Sequence, residues 1–226
     1  MYLIGNGLIS SSFKNYDLGE VVVFASGVSN SKETKESEYE REIKLLLNCL
    51  NKYKLKIIYF STLSVFSETH TKYIEHKLRI EEIIKKNSKD YLILRLPNVI
   101  GESTNKNQLL PFFCEKIKNG EELIIGENII RDLIDVNDLP KICKIILRKN
   151  ITGIINVSFN NYIKVEDIIK ILNEIYFNNK STIRFKKDFN NYDYDNNEFL
   201  KLIENSNEKF SKNPKDIIYK YLKKWK

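Results

Sequence analysis

Residues 1–13, MYLIGNGLISSSF, carry the pattern on which the predicted fold rests. A short apolar strand at 2–4 runs into Gly5, Asn6 and Gly7, and the next segment, 8–13, has the character of a helix start. This order suits a pyrophosphate, because glycines let the backbone approach it and a helix N-terminus stabilises its charge. On its own the pattern is weak, since a Gly-Asn-Gly turn that binds nothing has the same sequence.

Continuous apolar strands follow this turn at intervals. They are EVVVFA at 20–25, KIIYF at 56–60 and YLILRL at 91–96, with shorter strands at 122–125, 131–136 and 153–157. Helical patterns cover 39–50, 72–86, 109–119, 164–176 and 214–225, and a further helix opens at 137–140. Strands of this kind alternating with helices predict an α/β fold with a doubly wound parallel sheet. We expect a core over 1–150 and a small C-terminal α/β region over 151–226.

The composition excludes several classes of protein. The chain has 226 residues, 42% of them hydrophobic, with 8 Gly and 4 Pro, which suits a folded domain and excludes disordered and collagen-like chains. No apolar run approaches the roughly 20 residues of a membrane helix, and the first residues lack the features of a signal peptide. We therefore expect no membrane partner.

The net charge of +7 would suit nucleic-acid binding. However, the lysines are spread along the chain, so we expect no nucleic-acid partner. A modest positive field would also attract a small molecule that carries phosphate.

The cysteines indicate a reducing compartment, the cytoplasm. Cys49, Cys114 and Cys143 are far apart, in apolar and helix-like surroundings, which is typical of small buried side chains. With only 2 histidines in the chain, no metal centre is expected. His76 is interpreted as a surface residue.

A tyrosine and a lysine one helical turn apart form the candidate catalytic pair. Tyr73 and Lys77 share one face of the predicted helix 72–86. A tyrosine there can act as a general acid or base, with the lysine ammonium lowering its pKa from about 10. Only this pair follows a core strand, which ends in Ser61 and Thr62, and ligands of parallel sheets lie at the carboxyl ends of strands. Two other pairs have the same spacing: Tyr176/Lys180 and Tyr219/Lys223.

The chain resembles the nucleotide-sugar epimerase/dehydratase/reductase family, the extended short-chain dehydrogenase/reductases, in segments that occur in the family's order. They are the Gly-x-Gly turn, VVVFASGVSNS (21–31), YFSTLSVF (59–66), YIEHK (73–77), LRLPNVIG (94–101) and IRDLIDVNDL (130–139). The resemblance covers residues 1 to about 175. It implies a Rossmann-like core that binds NAD or NADP, includes some substrate-contacting segments, and is followed by a mainly substrate-binding region.

The resemblance also implies a role for each matching residue. Catalysis is assigned to Thr62, Tyr73 and Lys77, and Thr62 also contacts the substrate. Asn98 and Arg131 match positions that contact the diphosphate of a sugar nucleotide, a task that suits the planar fork of a guanidinium. Cofactor binding is assigned to Gly5, Gly7, Leu8, Ile9, Ser10, Ala25, Ser26, Gly27, Tyr73, Lys77 and Pro97, with Ser10 replacing the usual third glycine.

The chain departs from the family between Phe13 and Glu20. The family has two further strands and a helix there, and those strands carry the residue, often acidic, that holds the adenosine ribose. Asp17 lies too close to the glycine turn to match that residue. We therefore expect an abbreviated Rossmann-like sheet that lacks part of its first half, and the choice between NAD and NADP stays open.

The resemblance implies hydride transfer at a carbon of a nucleotide-linked sugar. Dehydratases of the family carry an acidic pair beside the threonine, whereas Leu63 and Ser64 follow Thr62 here, which disfavours dehydration. An epimerase must retain its cofactor, which an abbreviated adenosine site makes harder. We therefore favour a keto-sugar reductase of surface polysaccharide biosynthesis, with an epimerase that retains NAD as the alternative. A non-catalytic sugar-nucleotide-binding or regulatory protein on the same scaffold is the alternative from another class.

The family also implies a homodimer. In it, the tyrosine helix and the neighbouring helix with leucines at 45–50 pack against a second copy. The alternative is that these leucines all face the sheet of their own chain.

Overall fold

The structure, a computed structural model, describes residues 1–175, 181–187 and 193–222. Its strands are β1 (Tyr2–Ile4), β2 (Val21–Phe24), β3 (Lys56–Thr62), β4 (Tyr91–Leu96), β5 (Asn98–Ile100), β6 (Leu123–Gly126), β7 (Ile130–Asp135), β8 (Gly153–Asn156), β9 (Tyr162–Lys164) and β10 (Ile183–Lys186). Its helices are α1 (Leu8–Phe13), α2 (Glu36–Lys52), α3 (Lys72–Asn87), α4 (Leu109–Lys118), α5 (Leu139–Arg148), α6 (Val165–Ile175), α7 (Asn197–Glu204) and α8 (Pro214–Leu222).

The centre of the molecule is a sheet of five parallel strands in the order β1-β2-β3-β4-β8. Their β-branched and aromatic side chains are covered on both faces, as the continuous apolar runs predict; all four residues of β2 are buried. The register pairs Phe24 with Tyr59 and Thr62 with Leu96. The carboxyl ends of these strands therefore meet along one edge of the sheet.

Helices cover both faces of the sheet. On one face, α2 and α3 pack on alternate strand residues in a cluster that includes Phe24, Leu46 and Ile80. On the other face, α1 and α5 belong to a larger cluster that includes Phe13 and Ile142. The predicted doubly wound, parallel α/β fold is confirmed.

The first half of the sheet is short. The chain leaves β1, forms only α1, and returns as β2, which pairs directly with β1. Within the described residues, β1 is thus an edge strand, and its Tyr2 side chain is 48% exposed. The predicted abbreviation of the Rossmann-like sheet is confirmed.

The remaining strands form two smaller sheets. β5 pairs with β7 in parallel, β9 joins β7 antiparallel, and β6 pairs with β10. The chain returns to the central sheet at β8, past the expected boundary at residue 150, so the division into two domains stays a prediction. The expected helix at 214–225 is seen as α8, and residues 223–226 lie outside the described part of the chain.

The last helix is fastened to the core by a buried carboxylate. Asp135 at the end of β7 is fully buried and accepts a hydrogen bond from the hydroxyl of Tyr221 at 2.6 Å. Lys220 forms an ion pair with the same carboxylate. None of the helices in the described residues combines the length and the apolar character that a membrane span needs.

Candidate active site

A cleft of about 940 Å³ runs along the carboxyl ends of β1 to β4. It brings together residues from distant parts of the sequence, from the glycine turn at one end to β7 at the other. Among the predicted site residues, those that line it are Gly7, Leu8, Ile9, Ala25, Ser26, Gly27, Thr62, Tyr73, Lys77, Pro97, Asn98 and Arg131. Their assigned roles stay predictions, but the structure places them on one surface.

Gly5 and Ser10 support the turn from behind the cleft wall. Gly5 has a φ of +129°, and a Cβ there would lie 2.3 Å from the carbonyl oxygen of Ala25. The Ser10 side chain is buried, and its hydroxyl donates to the Gly5 carbonyl at 2.7 Å. These two residues therefore hold the shape of the turn, while Gly7 and the start of α1 face the cleft.

Thr62 ends β3 at the floor of the cleft. Its hydroxyl oxygen accepts a hydrogen bond from the backbone N–H of Ser64 at 3.1 Å, which caps the short 3-10 helix Leu63–Phe66. The neighbouring Ser61 is buried, and its hydroxyl donates to Glu81 at 2.6 Å. The cap fixes the position of the Thr62 side chain next to the first turn of α3.

Tyr73 and Lys77 lie one turn apart on α3, as predicted. The helix is capped by Thr71, whose hydroxyl accepts from the backbone N–H of Ile74 at 3.3 Å. The Lys77 ammonium is 5.8 Å from the centre of the Tyr73 ring. Of the two other pairs with this spacing, Tyr219 lies on α8, away from the cleft. Three members of those pairs lie outside the described residues: Tyr176, Lys180 and Lys223.

Lys77 has partners that the sequence did not reveal. Its ammonium donates to the hydroxyl of Tyr59 at 2.8 Å and to the carbonyl of Phe60 at 3.5 Å, and lies 3.6 Å from the Glu42 carboxylate. Gly27 makes room for it, since a Cβ there would lie 2.8 Å from the Lys77 nitrogen. We call Glu42, Tyr59, His76 and Lys77 the Lys77 network.

Glu42 is the fully buried centre of this network. Its carboxylate accepts from the Val28 backbone N–H at 2.7 Å and from the Tyr59 hydroxyl at 2.9 Å, and contacts the His76 ring nitrogen at 2.9 Å. The interpretation of His76 as a surface residue was wrong. It is 5% exposed, because α3 turns it inward against Glu42 and Tyr39.

The two acidic groups of the network shift in opposite directions. Burial raises the pKa of Glu42, but the Lys77 charge and the hydrogen bonds from His76 and Val28 outweigh burial and lower it to about 2. Burial raises the pKa of Tyr59 well above its usual value, and the adjacent Glu42 charge raises it further. Glu42 is thus a carboxylate and Tyr59 a neutral phenol at neutral pH.

The far end of the cleft contains the predicted diphosphate contacts. The Asn98 amide donates to the carbonyl of Asp132 at 3.2 Å, which ties β5 to β7, and Arg131 lies beside it. Two loops approach each other across the cleft, where the Asn105 amide donates to the Ser29 hydroxyl at 3.0 Å. The cationic side chains that line the cleft are Lys32, Arg41, Lys77 and Arg131, and among the described lining residues there is no Asp or Glu.

Comparison with protein families identifies the class of protein that this fold and cleft define. The profile described as the NAD dependent epimerase/dehydratase family matches residues 5–160. The chain belongs to that family, which confirms the resemblance and the expected cofactor class. A search of curated proteins found no match.

Solved structures share the fold at low sequence identity. UDP-glucuronic acid 4-epimerase from Bacillus cereus, in complex with UDP-glucuronic acid and NAD, is 22% identical, with a TM-score of 0.67 over 94% of this chain and 80% of that one. UDP-N-acetylglucosamine 4-epimerase from Methanobrevibacter ruminantium M1, in complex with UDP-N-acetylmuramic acid, is 18% identical, with a TM-score of 0.67 over 96% and 81%. RMD from Pseudomonas aeruginosa, complexed with NADPH, is 16% identical, with a TM-score of 0.67 over 99% and 90%.

Proposed function

We propose that this chain is an NAD(P)-dependent oxidoreductase that reduces a keto carbon of a nucleotide-linked sugar. The observation that carries the proposal is the placement of Thr62, Tyr73 and Lys77 along one cleft, between the glycine turn and Arg131. The family supports hydride transfer, and the layout of the cleft supports a ligand at each end.

The cleft suits the two ligands that the proposal requires. Its volume of about 940 Å³ is near the upper end of the roughly 300–1,000 Å³ common for ligand sites. A Cβ added at Gly7 would meet no atom within 4 Å, so the backbone of the turn is accessible to a pyrophosphate. The cationic lining without a described carboxylate suits phosphate groups at both ends.

In the reducing direction, bound NADH or NADPH supplies the hydride. Tyr73 donates a proton to the oxygen of the reduced carbon, and the Lys77 ammonium stabilises the tyrosinate that remains. Because Thr62 accepts from Ser64, its hydroxyl proton can be donated to the substrate oxygen, which orients the carbonyl. Asn98 and Arg131 hold the diphosphate of the sugar nucleotide.

Reduction is favoured over the other reactions of the family. Dehydration needs an acid or base beside Thr62, and the following residues are the buried Leu63 and the uncharged Ser64. Epimerisation needs a cofactor that stays bound, and the edge position of β1 shortens the wall available to its adenosine half. The same shortening favours the second candidate, a non-catalytic sugar-nucleotide-binding protein. An epimerase that retains NAD is the alternative enzyme.

The test is consumption of NADH or NADPH with a panel of keto-sugar nucleotides. We expect Tyr73→Phe to lower kcat by at least about 100-fold, because a positioned general acid contributes roughly 100- to 10,000-fold. Tyr219→Phe is the matched control, since Tyr219 has the same spacing to a lysine but lies on α8, away from the cleft. Equal rates in the two variants would refute the role of Tyr73.

The proposal includes a setting and an assembly. We propose a cytoplasmic enzyme of surface polysaccharide synthesis, without nucleic-acid or membrane partners, and the three buried free cysteines are compatible with a reducing compartment. We also propose a homodimer through α2 and α3. On α2, Leu46 and Leu50 face the sheet, whereas Leu47 is exposed, which supports a contact outside the subunit.

A further inference from the structure

Lys77 is buried together with a negative charge from a different helix. Lys77 is 3% exposed, and its ammonium has oxygen neighbours from three residues, Tyr59, Phe60 and Glu42. An ammonium at this depth is costly unless an opposite charge accompanies it. Glu42, on α2, supplies that charge from beneath the cleft.

The Tyr59 hydroxyl connects the two charges. It accepts from Lys77 at 2.8 Å and donates to Glu42 at 2.9 Å, so one neutral phenol satisfies both ions. The Glu42 carboxylate is fixed in turn by the Val28 N–H and by His76. Neither Glu42 nor Tyr59 lines the cleft, whereas Lys77, which contacts both, does.

We propose that Glu42 is a positioning residue for Lys77, and that its carboxylate, with the Tyr59 hydroxyl, keeps the ammonium charged and fixed beside Tyr73. The role of Lys77 in the reaction is taken from the proposed function. The low pKa of Glu42 supports the proposal, because it keeps this counter-charge in place at every pH at which the enzyme would work.

Titratable groups face Lys77 from three elements of the fold. Glu42 comes from α2, Tyr59 from β3, and Tyr73 and His76 from α3 itself. Among them, Glu42 is the acidic group that is ionised at neutral pH, since Tyr59 stays neutral. Removing its charge should therefore change the protonation of Lys77 directly.

The chain contains a matched control. Glu81 is 1% exposed and lies on α3, one turn after Lys77, but it pairs with Arg95 at 2.6 Å and accepts from Ser61. Glu81→Gln thus removes a buried, paired carboxylate of the same region whose direct partners, Ser61 and Arg95, lie outside the Lys77 network, although its charge acts on Tyr59 from a distance. If these buried carboxylates contributed only to folding, Glu42→Gln and Glu81→Gln would have the same effect on the titration of Lys77.

The experiment is an NMR titration of the Lys77 side chain in the full-length protein labelled with ¹³C-lysine, with the signal assigned through Lys77→Arg. We expect the change from ammonium to amine in Glu42→Gln at a pH about 1 to 3 units lower than in the unsubstituted protein, since a nearby opposite charge has an effect of that size. In Glu81→Gln we expect a much smaller displacement, since the direct partners of Glu81 are Ser61 and Arg95 and not Lys77. Tyr59→Phe keeps the carboxylate and should show a smaller displacement.

The pH dependence of kcat/KM gives a second readout. The decrease of kcat/KM at high pH should move to lower pH in Glu42→Gln by the same amount as the Lys77 titration. In Glu42→Asp the decrease should return part of the way toward its original pH. If Glu42→Gln does not fold, Glu42→Asp and Tyr59→Phe carry the test. Equal titrations of Lys77 in Glu42→Gln and Glu81→Gln would overturn the proposal. The NMR titration does not depend on turnover of a cofactor. Absence of turnover would therefore count against the proposed function and not against the role of Glu42.

Discussion

At the scale of the residue, the glycine turn depends on two close contacts. Gly5 combines a left-handed φ of +129° with direct contact to the backbone of Ala25, and the Ser10 hydroxyl fastens the turn from below. The turn positions Gly7 and the start of α1 at the cleft. Substitutions at Gly5 should therefore affect both stability and the end of the cleft that is proposed to bind the cofactor.

Gly5→Ala should lower the free energy of unfolding by at least about 2 kcal/mol, because strain at positive φ adds to the clash with Ala25. Gly19→Ala is the control. Gly19 also has a positive φ, of +76°, but an added Cβ meets nothing within 4 Å, so only about 1 kcal/mol is expected there. Urea unfolding measures the free energy of unfolding of both variants. Equal losses in the two would contradict the role of the close approach between Gly5 and Ala25.

Glu42 should make the fold sensitive to acid. Its folded-state pKa of about 2 lies below the ordinary value of 4.5, so its contribution is fully present above pH 4.5 and is lost as the pH falls toward 2. About 2 kcal/mol of stability should disappear between pH 6 and pH 3. Urea unfolding at several pH values should show this loss in the unsubstituted protein and in Glu40→Gln, an exposed control. The loss should be absent in Glu42→Gln, and an identical pH slope in all three proteins would contradict the assignment.

The sequence predicts the Tyr73 and Lys77 pair because their contact is local to one helix. Glu42, Tyr59 and His76 were missed as site residues because the network depends on how α2 and α3 pack on β3. A signal was present, since Glu42 lies within the apolar stripe of α2, between Tyr39 and Leu46. An acidic residue on a buried face is a sign of a paired charge beneath it.

At the scale of the element, α8 is fastened through its side chains. Tyr221 donates to the buried Asp135 and accepts from the Asn137 amide at 2.8 Å, so one hydroxyl joins α8 to the end of β7. The pKa of Tyr221 is raised by burial and by the Asp135 charge, which keeps this hydroxyl a donor. The helix thereby covers the strand that carries Arg131 into the cleft.

Tyr221→Phe should cost about 1 to 3 kcal/mol, because it leaves a buried carboxylate short of a hydrogen bond. Hydrogen exchange should show the loss first in α8. The control is Tyr219→Phe on the same helix, whose side chain is 42% exposed, and it should change stability by less than about 0.5 kcal/mol. Unchanged protection of α8 in Tyr221→Phe would contradict this view of the anchor.

The central strands were predictable because their apolar runs are long and their partners lie on both faces. β5, β9 and β10 were missed, since each has three or four residues and is stabilised by pairing with a distant strand. α7 was missed because it lies in a polar, Asn-rich region, although its Phe199 and Ile203 are buried at helical spacing. Short elements of this kind depend on tertiary contacts more than on local pattern.

At the scale of the whole molecule, the abbreviated sheet is the feature that bears most on the proposed function. The cleft still extends from the glycine turn to Arg131, but the sheet beneath it starts at β1. Under the proposed function, the ends assigned to the nicotinamide and the substrate keep their walls, while the end assigned to the adenosine lacks the strands expected from the family resemblance. This combination is the reason that the proposed function has a cofactor that enters and leaves in each cycle.

The proposed dimer makes α2 the surface to test. Sedimentation should give twice the mass of one chain, and Leu47→Lys should shift the protein to monomer, because a charge would be buried in the contact. Ile124→Lys changes an exposed apolar residue of β6, which is 57% exposed, and should leave the mass unchanged. A monomer at every concentration of the unsubstituted protein would contradict the proposed assembly.

Calorimetric titration with NAD, NADP, NADH and NADPH tests directly whether the cleft binds a nicotinamide cofactor. We predict binding of one of them with a micromolar Kd, and loss of that binding in Gly7→Trp. The substitution is compatible with the fold, because Gly7 has an ordinary φ of −83° and an added Cβ meets nothing within 4 Å. Binding of a nucleoside diphosphate such as UDP without binding of any of the four cofactors would contradict the proposed hydride transfer.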